Sequence, residues 1–453
     1  MIPRQDLSGV IEEGLCIGCG ACTVADPTVE LRLNPAKLCF EPSHASNAAA
    51  AAVCPAVQVD FAGLQRQIFG PAGETPGPFG VVESVMLAQS TNEPRNVNAS
   101  SGGLIKELVI ALLNRPDVDG AIALGHVQGL DFRPRLITRP EQVDELPGSI
   151  YHALAQPEAL ELLRENDGRY VLVAIPCHLE GIFQYIFTHE PHLADRIHTT
   201  IGLLCGWQYS HHAIRAICEY KGVDPERIAD ISFRGGGPVG KLQIVTDDGK
   251  AARASRRVDF SYQVAFDRHM NVARCHLCIN HSNFLADIVV GDAWLPSTVF
   301  TKTGISLLVN RTPATDTLVR EMAAAGQIKI SDVTEAEIEE SQTRRVVFGD
   351  FSYAYAEYLD EIGRHRPHMV GPNRSVAKLS PRKEVEHFHR EKERKMQLQA
   401  EGRYRYLRWR KATKELRRFL TRYLQWFLVR ILRIKSLTGQ RREVPREKLA
   451  DFR

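Results

Sequence analysis

Apolar residues follow two rhythms between residues 81 and 308. Short unbroken runs at 120–125, 170–175 and 200–204 read as buried strands. Between them, residues 104–113 and 157–165 repeat apolar side chains at three- and four-residue spacing, the stripe of an amphipathic helix. Alternation of the two periods predicts an α/β core. Residues 241–246 alternate apolar and polar positions as a half-buried strand does. Residues 315–325 and 327–330 add a helix and a short strand, and the rest of 309–375 reads as polar turns trimming the core.

The two ends depart from this pattern. Residues 1–62 are rich in Cys and Ala and run into Gly70-Pro71-Ala72-Gly73-Glu74-Thr75-Pro76-Gly77-Pro78, which reads as a linker. Beyond Pro381, Lys and Arg dominate, interleaved with Tyr404, Tyr406, Trp409, Phe419, Tyr423, Trp426 and Phe427. There Leu416, Leu420, Tyr423, Leu424, Phe427, Ile431 and Ile434 recur at helical spacing among Arg417, Arg418, Arg422, Arg430, Arg433 and Lys435, a basic amphipathic helix. Such a helix suits an anionic membrane surface or a protein partner, with packing on its own domain as a further reading.

Composition narrows the class. A chain of 453 residues, 44% hydrophobic, can bury a full core, and a net charge of +3 gives no basis for expecting nucleic acid. The first ten residues carry Arg4, Gln5 and Asp6 without an apolar run, unlike a secretory signal. No apolar stretch approaches the roughly 20 residues of a membrane-spanning helix. The expected location is the cytoplasm, or its membrane face if the basic helix binds lipid. Ten cysteines in a reducing compartment then read as ligands rather than disulfides.

Cys16-Ile17-Gly18-Cys19-Gly20-Ala21-Cys22, followed at a distance by Cys54-Pro55, has ferredoxin spacing. Two intervening residues let successive thiolates wrap one cubane, and Gly18 and Gly20 let backbone amides approach its sulfides. In two-cluster ferredoxins a further cysteine follows three residues after the third, and here Asp26-Pro27 comes next. One 4Fe-4S cluster on Cys16, Cys19, Cys22 and Cys54 is expected, with a zinc site as the alternative. Cys39 and Cys218 read as packed core thiols. Cys177 and Cys205 each follow an apolar run, and ligands of α/β sheets gather beyond the carboxyl ends of strands. Cys275-His276-Leu277-Cys278 could close a four-thiolate site with them, although buried lone cysteines are common enough to leave this open.

Several motifs in order resemble the coenzyme F420 hydrogenase/dehydrogenase β-subunit family, which also includes chlorophyll-pathway reductases. They are residues 99–104 (Ala-Ser-Ser-Gly-Gly-Leu), 118–121 (Val-Asp-Gly-Ala), 148–151 (Gly-Ser-Ile-Tyr), 174–177 (Ala-Ile-Pro-Cys), 204–206 (Leu-Cys-Gly), 234–240 (Arg-Gly-Gly-Gly-Pro-Val-Gly), and 275–278 running on to 286–292. The resemblance spans about residues 90–296. It implies a second 4Fe-4S cluster on Cys177, Cys205, Cys275 and Cys278 with an FAD nearby. Ile150 and Asn280 depart from it, where relatives often carry Lys and Asp.

The turn Ser100-Ser101-Gly102-Gly103 stands at a helix start, where free amides and the helix dipole favour phosphate. Most such turns are only caps, but this one matches the family's flavin-binding turn, and Gly148, Ser149 and Tyr151 are further candidates for the same cofactor. Residues 235–241 mimic a phosphate loop, Gly-x4-Gly-Lys. Leu242 stands where Ser or Thr would hold magnesium, and a strand rather than a helix follows. His178 beside Cys177 is a candidate proton donor, or else a hydrogen bonder supporting the cluster.

The expected organisation is therefore α/β (α+β overall): a small ferredoxin-like domain at 1–65, a linker at 66–85, a flavin and iron–sulfur core at 86–375 and a basic helical extension at 376–453. The expected function is an iron–sulfur flavoprotein oxidoreductase. It passes electrons between a ferredoxin-like donor, two 4Fe-4S clusters, FAD and a small organic substrate such as coenzyme F420. The alternative is a non-catalytic electron-transfer subunit of a hydrogenase or dehydrogenase complex.

Overall fold

A computed structural model describes residues 6–73, 76–235, 240–298, 301, 303–371 and 379–430. Eight strands form its principal sheet. Their order across it is Ile328–Val333, Ser84–Ser90, Ser306–Asn310, Ile288–Asp292, Ile197–Leu203, Tyr170–Ala174, Gly120–Gln128 and Asp131–Ile137. The four strands Ile288–Asp292, Ile197–Leu203, Tyr170–Ala174 and Gly120–Gln128 run parallel. Antiparallel strands complete both sides.

The central strand runs are mostly apolar because both faces are covered. Val171, Ile288 and Leu308 point to one side, where Leu104, Leu108 and Leu112 of helix Leu104–Leu113 and Val319 and Met322 of helix Pro313–Ala324 meet them. Leu172, Val289 and Leu307 point to the other side. There they meet Leu160 and Leu163 of helix Glu158–Glu165 and Leu179, Ile182 and Ile186 of helix Pro176–His189. Ile17, Cys19 and Ala21 join that second core, so the Cys-rich segment lies directly on the helix layer. A smaller sheet, Ile228–Gly235, Lys241–Thr246 and Ala251–Ser255, includes the strand expected at 241–246. Residues 236–239 of the false phosphate loop lie outside the described residues.

The polar turns expected after residue 330 are in fact largely helix. Glu335–Glu361 is helical, with a kink at Gln342 (φ −109°, ψ 16°) that shifts the phase of the apolar positions and erases any continuous stripe. Its Phe351, Ala354, Tyr355 and Leu359 enclose Cys16, Cys22 and Cys54, together with Val385 and Phe388 of helix Arg382–Ala400. The strand Gln58–Asp60 pairs in parallel with His368–Val370, a second tie between the N-terminal segment and distant sequence.

A second unit begins at Arg403. Its described part is helix Tyr404–Arg430, on which Trp409, Leu416, Phe419, Leu420, Tyr423, Leu424 and Trp426 are exposed. The remainder of the stripe, Ile431 and Ile434 with Arg433 and Lys435, and the side chains of Phe427 and Arg430, lie outside the described residues. Among the described residues no helix is long and apolar enough to cross a membrane.

Candidate functional site

The loop carrying Cys16 and Cys19 turns on two glycines. Gly18 (φ +73°) and Gly20 (φ +79°) adopt left-handed backbone, and an added Cβ would strike Leu154 O and Pro157 Cα. The Gln156 amide donates to Gly18 O at 2.8 Å, fixing the loop against residues 154–157. Cys16, Cys19, Cys22 and Cys54 are all buried and close enough to repel one another as thiolates. Burial, reinforced by Cys54, lifts the Cys19 thiol to about 12, and burial lifts Cys54 to about 11. The Gly18 amide donates to Cys16 Sγ at 3.4 Å, the contact that stabilises ligand sulfur.

Asp26 does not face this set as a spare ligand. Its carboxylate accepts hydrogen bonds from Thr28 N and Oγ1 (3.0 and 2.7 Å), Ser46 Oγ (2.6 Å) and Asn47 Nδ2 (3.0 Å), clamping two loops together. Cys39 and Cys218 are buried in apolar surroundings, with burial raising both thiols to about 12.

Cys177 and Cys205 emerge just past the carboxyl ends of neighbouring parallel strands, where Ala174 pairs with Gly202. Cys177 is the second residue of helix Pro176–His189. Cys275 and Cys278 come from the short 3-10 turn Ala273–Leu277 and its following residue. Each of the four lies within electrostatic reach of others in the set. The Gln208 amide donates to Cys275 Sγ at 3.3 Å, and the Asn280 amide also serves Cys278. Among the described residues, no group of three or more His, Cys, Asp or Glu converges tightly enough to hold a metal ion. The first set is buried and the second half-buried, and four thiolates in one place are the donor set of an iron–sulfur cluster as well as of zinc.

Residues that carry no motif lie between the sets. Glu180 and Arg274 form a fully buried ion pair (Arg274 Nη2 to Glu180 Oε2, 3.4 Å), and Asn280 Nδ2 donates to Glu180 Oε1 at 2.8 Å. Asn280 Oδ1 in turn accepts from Phe284 N at 2.6 Å. With the Glu180 carboxylate alongside, an asparagine here satisfies both neighbours where an aspartate would face a second negative charge. His178 is buried. Its Nε2–H donates to Ile17 O at 2.9 Å, and its Nδ1 lies 2.9 Å from the Gln156 carboxamide. Burial lowers its pKa to about 4. Both ring nitrogens are therefore engaged in holding the Cys16–Cys19 loop.

The flavin candidates also come together. An added Cβ on Gly148 would lie 3.8 Å from Ser100 Oγ, so residues 100–103 and 148–151 border one another. Within the turn, Ser101 Oγ donates to Ile305 O (3.0 Å) and Gly102 N to Ser306 Oγ (2.9 Å). Gly103 (φ +76°) caps helix Leu104–Leu113, whose first amides lack partners within the helix. Ser101 and Gly102 thus anchor the turn. The Tyr151 ring packs edge-on to Phe233 with the Arg256 guanidinium 5.4 Å from its centroid. Arg234, beside it, pairs with Asp292 at 2.6 Å. Ser149, Ile150 and Tyr151 are half-buried and Gly148 is exposed. This cradle of small residues, helix amides and basic and aromatic side chains fits a dinucleotide flavin.

Residues 85–161 match the N-terminal model, and 167–336 the C-terminal model, of the coenzyme F420 hydrogenase/dehydrogenase beta subunit. The chain belongs to that family. Among relatives of this beta-subunit family, it is 24% identical to a subunit of the F(420)H(2) dehydrogenase of Methanosarcina mazei, over 66% of this chain and 82% of that protein. It is 25% identical to the beta subunit of coenzyme F420 hydrogenase of Methanococcus voltae, over 57% of this chain and 87% of that protein. Coenzyme F420-dependent sulfite reductase of Methanocaldococcus jannaschii is 22% identical, over 68% of this chain and 46% of that protein. A chain of the F420-reducing NiFe hydrogenase complex from Methanosarcina barkeri has the same fold. Its TM-score is 0.51 at 17% identity, covering 64% of this chain and 97% of that one. The family consists of oxidoreductase subunits, and the eight-stranded sheet falls almost wholly within its matched residues.

Proposed function

We propose that this beta-subunit family member is an iron–sulfur flavoprotein that moves electrons between a ferredoxin-like donor and an organic substrate of the coenzyme F420 kind. The observation that carries this reading is the pair of four-cysteine sets, one buried and one half-buried, in contact with one helix, beside a cradle of small residues suited to a flavin. When bound, two 4Fe-4S clusters and FAD would supply one-electron carriers and a centre that exchanges electrons in pairs. Cys16, Cys19, Cys22 and Cys54 hold one cluster; Cys177, Cys205, Cys275 and Cys278 hold the other. Ser100, Gly103 and the first amides of helix Leu104–Leu113 take the flavin phosphates, and Ser149 and Tyr151 border the flavin. His178 serves to position the Cys16–Cys19 loop.

Anaerobically purified full-length protein is expected to be brown, with about eight irons, about eight acid-labile sulfides and one flavin per chain. Colourless protein containing zinc would overturn the proposal. A second reading, a non-catalytic wiring component of a larger complex, is favoured by the names of the relatives, several of which are subunits. Oxidation of reduced coenzyme F420 by the isolated chain with an artificial acceptor supports the enzyme reading, whereas turnover only after adding a partner chain supports the second.

We assign the basic helix Tyr404–Arg430 to an anionic membrane surface, where Trp409, Phe419 and Tyr423 would enter the interface and the arginines meet lipid phosphates. Val385 and Phe388 pack beside the first cysteine set, so the informative truncation falls after Gly402 rather than before helix Arg382–Ala400. Truncation there should abolish co-sedimentation with vesicles containing phosphatidylglycerol and leave the iron content unchanged. Equal sedimentation of the full and truncated chains would exclude the lipid assignment.

A further inference from the structure

Helix Pro176–His189 touches both cysteine sets. Cys177 stands in its first turn, and His178 holds Ile17 O. Gln184 Nε2 donates to Val53 O at 3.1 Å, beside Cys54. At Gly181 the approach is closest: an added Cβ would lie 2.6 Å from Cys19 Sγ and 3.1 Å from Cys19 Cβ. Any residue other than glycine would drive that sulfur away from the helix. From Gly181 back to Cys177 is four residues, or ~6 Å of helical rise. The intervening Glu180 is fully buried, and its carboxylate acts on Cys19 on one side and on Cys177 and Cys278 on the other.

We propose that helix Pro176–His189 is the electron bridge between the two thiolate sets, with Gly181 as the positioning residue that fixes its length and Arg274 as the positive charge shared by both ends. The proposal rests on the two-cluster reading given above. It goes further in assigning the route to residues with no ligand role. The step transfers one electron. The carrier at the Cys19 end is oxidised by one electron and the carrier at the Cys177 end is reduced by one. No bond forms or breaks, and the electron originates from a one-electron reductant of the ferredoxin class. Electron tunnelling weakens steeply with through-space gaps, and the Cys19 to Gly181 contact closes the gap between two otherwise covalent segments.

Arg274 contributes through charge. It is 2% exposed and lies within electrostatic reach of Cys54 in the first set and of Cys177, Cys275 and Cys278 in the second. Its Nε has no hydrogen-bond partner among the described residues. A buried ion pair adds little net stability compared with a packed apolar pair. A cation held between two redox sites stabilises an added electron at either one, and charge near a cluster is a recognised determinant of its potential.

The test uses the full chain, assayed for iron and sulfide, reduced with dithionite and examined by electron paramagnetic resonance. Two reduced clusters bridged by this helix are expected to give split and broadened signals from spin–spin coupling. Gly181→Val, which pushes the helix and Cys19 apart, should weaken that splitting, with its iron content measured alongside. About eight irons with two independent signals in the unmodified chain would overturn the bridge and leave the cluster assignment standing. About four irons or fewer would instead mean that the two-cluster reading itself has failed. If Gly181→Val loses iron, the unmodified spectrum still decides the bridge. Arg274→Gln should shift the midpoint potential of the second cluster downward, and Arg274→Lys should restore it; unchanged potentials in Arg274→Gln would remove Arg274 from the proposal.

Discussion

Residues 16–54 and residues 177–278 each assemble four cysteines, buried in the first set and half-buried in the second, but they do so in opposite ways. The first set lies on a segment with little regular structure: helices Ala21–Ala25 and Ala48–Ala52 and the hairpin of Leu31–Leu33 with Phe40–Pro42. Such a segment has little regular structure of its own and leans on whatever the cysteines bind and on the helices packed against it. The second set hangs from an eight-stranded sheet with helices on both faces, which stands on hydrophobic packing alone. One site helps to build its fold; the other is mounted on a fold already complete.

The largest expected effect breaks this comparison directly. Cys54→Ser and Cys205→Ser should each lose about four irons of about eight. Hydrogen exchange should then separate them. Cys54→Ser is expected to deprotect residues 6–60 while the sheet stays protected, and Cys205→Ser to leave both regions near their original protection. Similar protection maps for the two variants would show that the sets support the fold equally.

The same contrast explains what the sequence made legible. Cys16, Cys19, Cys22 and Cys54 are close in sequence, so ligand spacing alone announces them. Cys177 and Cys205 fall at one edge because 170–175 and 200–204 read as buried strands, and Tyr170–Ala174 and Ile197–Leu203 do pair in parallel. Glu180 and Arg274 stand in no pattern: they are 94 positions apart, and only the packing of a helix against a 3-10 turn brings them together. Gly181 resembles any helical glycine until Cys19 is set against it. Glu335–Glu361 is hidden because its kink breaks the periodicity by which helices are read. What the sequence hid was contact across elements; what it displayed was order within them.

The second set can be loosened by charge alone. Asn280→Asp replaces the donor to Glu180 with a second carboxylate in a site closed to solvent. Unfolding by denaturant should show a loss of about 3 kcal/mol, the scale of a broken buried pair. The corresponding change beside the first set, Asp26→Asn, keeps a polar group that Ser46 and Thr28 can still reach, and should cost less. Equal losses would mean that the two surroundings are equally dry.

A smaller, pH-dependent effect concerns the loop that carries Cys205. His152 and Tyr209 form an isolated parallel bridge, and Ala153 N donates to Tyr209 O at 2.8 Å, so His152 underlies residues 205–210. Burial, with His211 adding to it, lowers the His152 pKa from 6.5 to about 3. Its folded pKa lies below its unfolded one. The unfolded chain therefore takes up a proton first as the solution is acidified, and the stability due to the neutral ring, complete above pH 6.5, is lost as pH falls toward 3. The slope is up to about 1.4 kcal/mol per pH unit from this group. His152 already packs among Phe132 and Phe233, so His152→Phe should flatten that slope over the same window, as measured by denaturant midpoints. An unchanged slope would assign the acid sensitivity elsewhere.

The smallest effect tests the two cysteines outside both sets. Cys39 and Cys218 have thiols raised to about 12 by burial and should resist alkylation at pH 8 in the iron-loaded protein; Cys218 should go on resisting after iron is removed, whereas Cys39, within the first segment, should become reactive as that segment loosens. The eight others should become alkylated only after iron is removed, and the order in which they do so extends the comparison. The first set, on a segment that loosens without its cluster, should react before the second, which remains packed against the sheet. Alkylation of the second set first would reverse the account of which site builds its fold and which is mounted on one.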